Sequence, residues 1–263
     1  MSEELEGQVA IVTGASRGIG KAIALQLGRD GAVVVIAART EEGTEDKPGS
    51  IGESAAAIEK AGGKALPMKV DVTVDADLRA LVDKTMSEFG RIDILVNNAG
   101  ALGGQPTFLE SQPDELDFFY RTNLRAPYVL AKIAGVRMAE QGHGVIFNIS
   151  SGLARLPDPP GSTGAAQPRF GGPSNVYGMT KAALNRFGAG VAAELKEKNI
   201  AIININPGFT LTERLARIMK DADTSRMERP ETTAKAIAFL ARDPMSYTGQ
   251  IITARDLADE KKL

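Results

Sequence analysis

Seven short runs rich in aliphatic and β-branched residues recur along the chain, at residues 9–12, 32–37, 64–70, 92–96, 145–149, 200–205 and 251–253. Helical periodicity separates most of them, opening at Ile19 and again over 53–61, 75–89, 114–140, 176–198 and 230–240. A helix-length connection between two strands returns the chain in the direction it came from, so alternation of this kind dictates parallel pairing with helices covering both faces. The pattern predicts an α/β fold, a doubly wound, Rossmann-like parallel sheet of about seven strands. A chain of 263 residues suits one such domain, spanning 1–263. Two stretches, about 152–175 and 209–229, break the alternation and read as substrate loops.

The first strand–helix junction carries the sequence Thr-Gly-Ala-Ser-Arg-Gly-Ile-Gly over residues 13–20. Glycines at 14, 18 and 20 permit a tight turn and a close backbone approach to a pyrophosphate, while the helix start offers unpaired N–H groups to the anion. Gly14, Ser16, Arg17, Gly18, Ile19 and Gly20 are therefore candidate cofactor contacts.

Dinucleotide folds that take NAD commonly place an acid at the end of the second strand to hold the adenosine ribose. That position has Arg39 instead, and Arg17 projects from the glycine turn toward the same region. Two guanidiniums there would clamp a 2′-phosphate, which favours NADP(H) over NAD(H); the alternative is a pair of solvated surface arginines. Asp71, after the third strand, either caps the following helix entry or accepts from an adenine amine.

Composition removes several chemistries. The chain has no cysteine, one histidine and a formal net charge of −2 without any basic run. Disulfides, thiolate zinc sites and cysteine nucleophiles are excluded, no metal site is expected, and a nucleic-acid or anionic-membrane partner is disfavoured. The acidic start lacks a signal-peptide core and no apolar run would span a bilayer, so a cytoplasmic protein is expected. An acid/base for a carbonyl or alcohol must then come from elsewhere. Tyr177 and Lys181 sit four apart at the start of the helix after strand five, where an ammonium on the same face favours the phenolate. Tyr128 and Lys132 share that spacing but fall inside the helix between strands four and five, and are expected to pack or to face a subunit.

Taken together, the glycine turn, Asp71-Val72, Asn97 to Gly100, Asn123, Asn148 to Ser151, Tyr177…Lys181 and Pro207-Gly208 resemble, in that order, the short-chain dehydrogenase/reductase family in its single-domain branch. The resemblance implies an NADP(H)-dependent oxidoreductase passing a hydride between cofactor and a carbonyl or secondary alcohol. It assigns Tyr177 as proton donor and acceptor, Lys181 to its activation and to the nicotinamide ribose, Ser151 to the substrate oxygen, and Asn123 to a water behind Lys181. It implies cofactor contacts at Val72, Asn98, Ala99 and Gly100, and at Pro207, Gly208, Phe209 and Thr212, the last four beside the carboxamide. A small apolar or amphipathic substrate and a homodimer or homotetramer are expected. A silent NADP(H)-binding sensor on the same fold is the alternative. The chain departs from the family in the 26 positions between Ser151 and Tyr177, which leave Ser150 as a substitute for Ser151, and in a tail lacking the usual glycine-rich ending. The 161–173 region within the long interval reads either as part of a lid or as a disordered surface loop.

Overall fold

The computed structural model describes residues 4–44, 48–102, 108–156, 175–219 and 223–263. Seven strands form one sheet: β1 (Val9–Thr13), β2 (Val33–Ala38), β3 (Lys64–Lys69), β4 (Ile94–Asn97), β5 (Gly144–Ile149), β6 (Ile200–Asn206) and β7 (Ile251–Thr253). All pair in parallel, in the order β3-β2-β1-β4-β5-β6-β7. The helices are α1 (Gly18–Arg29), α2 (Ile51–Lys60), α3 (Asp75–Phe89), α4 (Pro113–Tyr120), α5 (Ala126–Gln141), α6 (Asn175–Lys196), α7 (Glu213–Ile218), α8 (Pro230–Arg242) and α9 (Ala254–Lys261).

The two-residue period of the strands sorts the core into two layers. Ala10 and Val12 of β1 face Ile23 and Leu27 of α1 and Ile237 and Leu240 of α8, whereas Val9 and Ile11 face Leu78 and Leu81 of α3 and Leu130 and Met138 of α5. Central strands are buried on both sides, which is why they read as unbroken apolar runs. β3 differs: it alternates exposed and half-buried residues and contains Pro67, which an edge strand tolerates because one side of its ladder has no partner.

Three expectations are refined. The 114–140 helix is two helices joined by a π-helical turn, Arg121–Arg125. The 209–229 loop contains the short helix α7, and the tail forms α9. The sequence periodicity carried no sign of the π turn, since one extra residue per turn changes the hydrophobic stripe little over five residues.

Candidate active site

Strand order reverses between β1 and β4, and a doubly wound sheet has its crevice beyond the carboxyl ends at such a reversal. The glycine turn and the segment after β4 are tied together there. Thr13 Oγ1 accepts from the backbone N–H of Asn98 and of Ala99, each at 3.0 Å, and the Asn98 amide donates to the Thr13 carbonyl at 2.8 Å and the Gly14 carbonyl at 3.2 Å. Gly20 is required by this brace: a Cβ would collide with the Asn98 amide and stand 2.5 Å from the Gly14 carbonyl oxygen. Asn98 thus spends its side chain and its N–H on the turn, as Ala99 spends its N–H.

Helix α1 begins without help from its own sequence. No side chain caps its N-terminus and no acid stands in its first turn, in contrast to α2, capped by Ser50, and α7, capped by Thr212. Its free N–H groups and the positive end of its dipole are left for an anion, so the residues present fit a dinucleotide pyrophosphate. Gly18, at φ 58°, faces Thr212 across the cleft, with 3.3 Å between a Cβ built there and Thr212 Cγ2. Arg17 donates to Thr40 Oγ1 at 2.9 Å and to the Gly49 carbonyl at 3.1 Å, which aims it past the end of β2. Arg39 stands exposed just after β2, 3.9 Å from Asp71. One Asp71 oxygen accepts from the Thr73 N–H at 2.9 Å and hydroxyl at 2.7 Å, closing a turn ahead of α3, whose own N-terminus has no side-chain cap.

Tyr177, Ser151, Lys181 and Asn123 converge at the ends of β4 and β5. The Ser151 hydroxyl hydrogen-bonds the Tyr177 phenol. Burial raises the phenol above its ordinary value, and the Ser151 bond draws it part of the way back. Lys181 is 4 % exposed, and its ammonium donates to the Ile149 carbonyl at 2.7 Å and lies 5.8 Å from the Tyr177 ring centroid. Burial lowers its pKa to about 8. The activation of the phenol by Lys181 that the spacing suggested is therefore not what sets the phenol in the free protein; burial is. Asn123, fully buried in the π turn, accepts from the Ala101 N–H at 2.7 Å and donates to the Ala101 carbonyl at 3.1 Å and to Thr180 Oγ1 at 3.3 Å. A Cβ on Gly100 would lie 3.4 Å from the Asn123 amide oxygen and 3.7 Å from the Lys181 nitrogen, so the three line one small space. Ser150 is buried with its hydroxyl unpartnered and its N–H on the Ile205 carbonyl; Ser151 is the one that meets the tyrosine.

Every candidate site residue therefore lies at the carboxyl edge of the sheet. Gly14 to Gly20 follow β1, Arg39 follows β2, Asp71 and Val72 follow β3, and Asn98 to Gly100 follow β4. Ser151 follows β5, and Pro207, Gly208, Phe209 and Thr212 follow β6. Three contributors were missed in the sequence: Thr13, Thr180 and Phe119, whose ring meets Tyr177 edge-on at 6.3 Å. Thr180 sits inside the Tyr-x-x-Thr-Lys run and could have been suspected; the other two show only in three dimensions. The 161–173 stretch lies outside the described residues. Among the described residues no cluster of acids and histidine is arranged to hold a metal, and no helix is long and apolar enough to cross a membrane.

The family model for short chain dehydrogenases matches residues 8–223, and the chain belongs to that family, whose enzymes use a nicotinamide dinucleotide. It is 36 % identical over 256 residues to 4-formylbenzenesulfonate dehydrogenase of Comamonas testosteroni, covering 92 % of this chain and 94 % of that protein. It is 32 % identical to the 3-oxoacyl-(acyl-carrier-protein) reductase of Thermotoga maritima, covering 94 % and 96 %. Hydroxysteroid dehydrogenase-like protein 2 of Danio rerio is 33 % identical, and there 97 % of this chain spans 58 % of the longer relative. Among solved structures, a short-chain dehydrogenase of Mycobacterium thermoresistibile superposes with a TM-score of 0.84 at 30 % identity, covering 98 % of this chain and 89 % of that one.

Proposed function

We propose that this protein is an NADP(H)-dependent carbonyl reductase or alcohol dehydrogenase acting on a small apolar or amphipathic substrate, with Tyr177 as its acid/base. The observation that carries this reading is the Ser151–Tyr177 hydrogen bond, backed by the buried Lys181 at the carboxyl edge of the sheet. When bound, the nicotinamide supplies or accepts the hydride. Ser151 donates to the substrate oxygen, and Tyr177 gives its proton to that oxygen as the carbonyl carbon becomes tetrahedral. The phenol is held above its ordinary pKa by burial, so it enters the reducing direction protonated. Lys181, fixed by the Ile149 carbonyl and 5.8 Å from the Tyr177 ring centroid, puts a positive charge beside the phenolate left behind. Asn123 fixes the space behind Lys181 through Ala101 and Thr180.

Arg17 and Arg39 at the end of β2 support NADP(H), as does the absence of an acid at the end of that strand. Asp71 retains one carboxylate oxygen not used by Thr73, and this is the group proposed to face the adenine. Leu153, Phe209, Leu211 and Leu215 support an apolar substrate, and the relatives are named for a formylbenzenesulfonate, a 3-oxoacyl group and hydroxysteroids. The outer faces of α5 and α6 hold an open groove of about 560 Å³ lined by Tyr120, Leu124, Tyr128 and Phe187, and we place the contact of a cytoplasmic homodimer or homotetramer there. The test is absorbance in the reduced-nicotinamide band with NADPH or NADH over a panel of apolar ketones and aldehydes. NADPH is expected to support turnover at least roughly tenfold better, the worth of one well-placed charge-assisted contact. Equal use of NADH would overturn the cofactor assignment, and cofactor binding without any turnover would favour the silent sensor.

A further inference from the structure

Glu41 is the first carboxylate beyond β2, two positions after Arg39. An acid just past that strand serves an NAD-binding fold as acceptor for the ribose hydroxyls, and beside a 2′-phosphate the same acid repels. The sequence does not say which way this one is directed, and the proposed cofactor depends on it.

The strand ends settle the direction. β2 and β3 pair so that Lys69 stands beside Ala38, and the Val70 N–H donates to the Ala38 carbonyl at 3.0 Å. Lys69 therefore leaves the sheet level with the residue before Arg39. Its ammonium meets the Glu41 carboxylate at 2.6 Å. The hydrogen bond to Glu41, and the charge of that carboxylate, hold the ammonium above its ordinary pKa, so it stays protonated near neutral pH.

Arg17 reaches the same edge from the glycine turn. Its guanidinium bonds the Thr40 hydroxyl and the Gly49 carbonyl, both neutral acceptors, and among the described residues it forms no ion pair. Thr40 is the immediate neighbour of Glu41, yet the Glu41 carboxylate is spent on Lys69. Arg39 is shared with Asp71 at 3.9 Å. Arg17 is thus the cation at this edge whose charge is left for an anion.

We propose that Lys69 is a specificity-determining residue that acts by positioning Glu41: it keeps that carboxylate off Arg17, so the guanidinium stays open to a 2′-phosphate. The proposal rests on the NADP(H) reading above and adds the residue that protects it. Lys69 acts without touching the phosphate. Once its ammonium is removed, the Glu41 carboxylate turns to the guanidinium bonded to its neighbour, and a 2′-phosphate must displace it.

Calorimetric titration of the full chain with 2′,5′-ADP and with 5′-AMP reads the 2′-phosphate without any turnover. The quantity measured is the ratio of the two affinities, because a change in folding or around the adenine moves both ligands together. Lys69→Met is expected to lower that ratio about threefold to fivefold, the upper range for an exposed ion pair. Lys69→Arg, which keeps the pair, should stay near wild type. Glu41→Gln should keep or raise the ratio, and adding Lys69→Met to it should change the ratio by less than about 1.5-fold, since the two residues act as one unit. An unchanged ratio in Lys69→Met would overturn the proposal. So would an equal loss in the Glu41→Gln background, which would mean that the ammonium serves the phosphate directly. A wild-type ratio near one would count against the NADP(H) reading itself, whereas a high wild-type ratio that Lys69→Met leaves in place would defeat this proposal alone.

Discussion

Two Tyr-x-x-x-Lys pairs stand in this chain, and only their surroundings differ. Tyr128 lies on α5, about half exposed, its ring 5.1 Å from that of Phe187, and Lys132 is exposed one turn on. Tyr177 opens α6 at the carboxyl edge of the sheet, bonded to Ser151, with Lys181 buried against the Ile149 carbonyl. Helical spacing puts a phenol and an amine on one face in both places; burial and a hydrogen-bonding neighbour set one pair apart. The buried pair is also the costly one, because an ammonium taken out of water is destabilised until something in the site repays it.

Replacing the lysines breaks the comparison most sharply. Lys181→Met is expected to lower kcat/KM about 10²-fold or more, whereas Lys132→Met should leave it within about twofold. Stability should move the other way. Lys181 has a folded pKa of about 8 against an unsupported value of 10.5, so between those values the unfolded chain holds a proton that the folded chain has released. Wild-type stability contributed by this group therefore rises with pH across that window and is lowest below it. Lys181→Met removes the cost and should gain roughly 1–2 kcal/mol at pH 7, less the loss of the bond to Ile149. Its stability should no longer show that rise between pH 8 and 10.5. Denaturant melts at several pH values check both statements.

Asn123→Ala attacks the same site from behind with the opposite sign on stability. It leaves the Ala101 N–H and carbonyl and the Thr180 hydroxyl short of a partner, and should cost about 1–3 kcal/mol with roughly a tenfold loss in turnover. A variant that melts like wild type would show that the π turn does not depend on those bonds. The smallest catalytic effect is expected at the exposed pair. Tyr128→Glu puts a charge in the α5–α6 groove and should shift the protein toward monomer in sedimentation velocity, with the chemistry of each remaining folded site intact.

The strands and most helices were legible because burial imposes a period of two or of about 3.6 on the sequence, and the parallel pairing of the sheet follows from the alternation of the two. The edge strand was legible despite Pro67. The site was legible as a set of positions: each candidate falls on the carboxyl edge. Bonding was less so. The tie from Thr13 to Asn98 and the seat of Asn123 on Ala101 and Thr180 join residues far apart in the chain, where no local periodicity records the pairing. The phenol of Tyr177 shows the same limit. A neighbouring lysine could be read from spacing, whereas the surroundings of the phenol include Ser151 after β5 and Phe119 of α4, both far away in the chain.

The most direct test of the account is the rate of NADPH oxidation with a reactive apolar ketone for wild type, Tyr177→Phe and Tyr128→Phe, assayed together. Both substitutions remove one hydroxyl from one ring. The account predicts a loss of about 10²–10⁴-fold in kcat/KM for Tyr177→Phe, with cofactor still bound, and a change within about twofold for Tyr128→Phe. Tyr177→Phe turning over at the wild-type rate would contradict it.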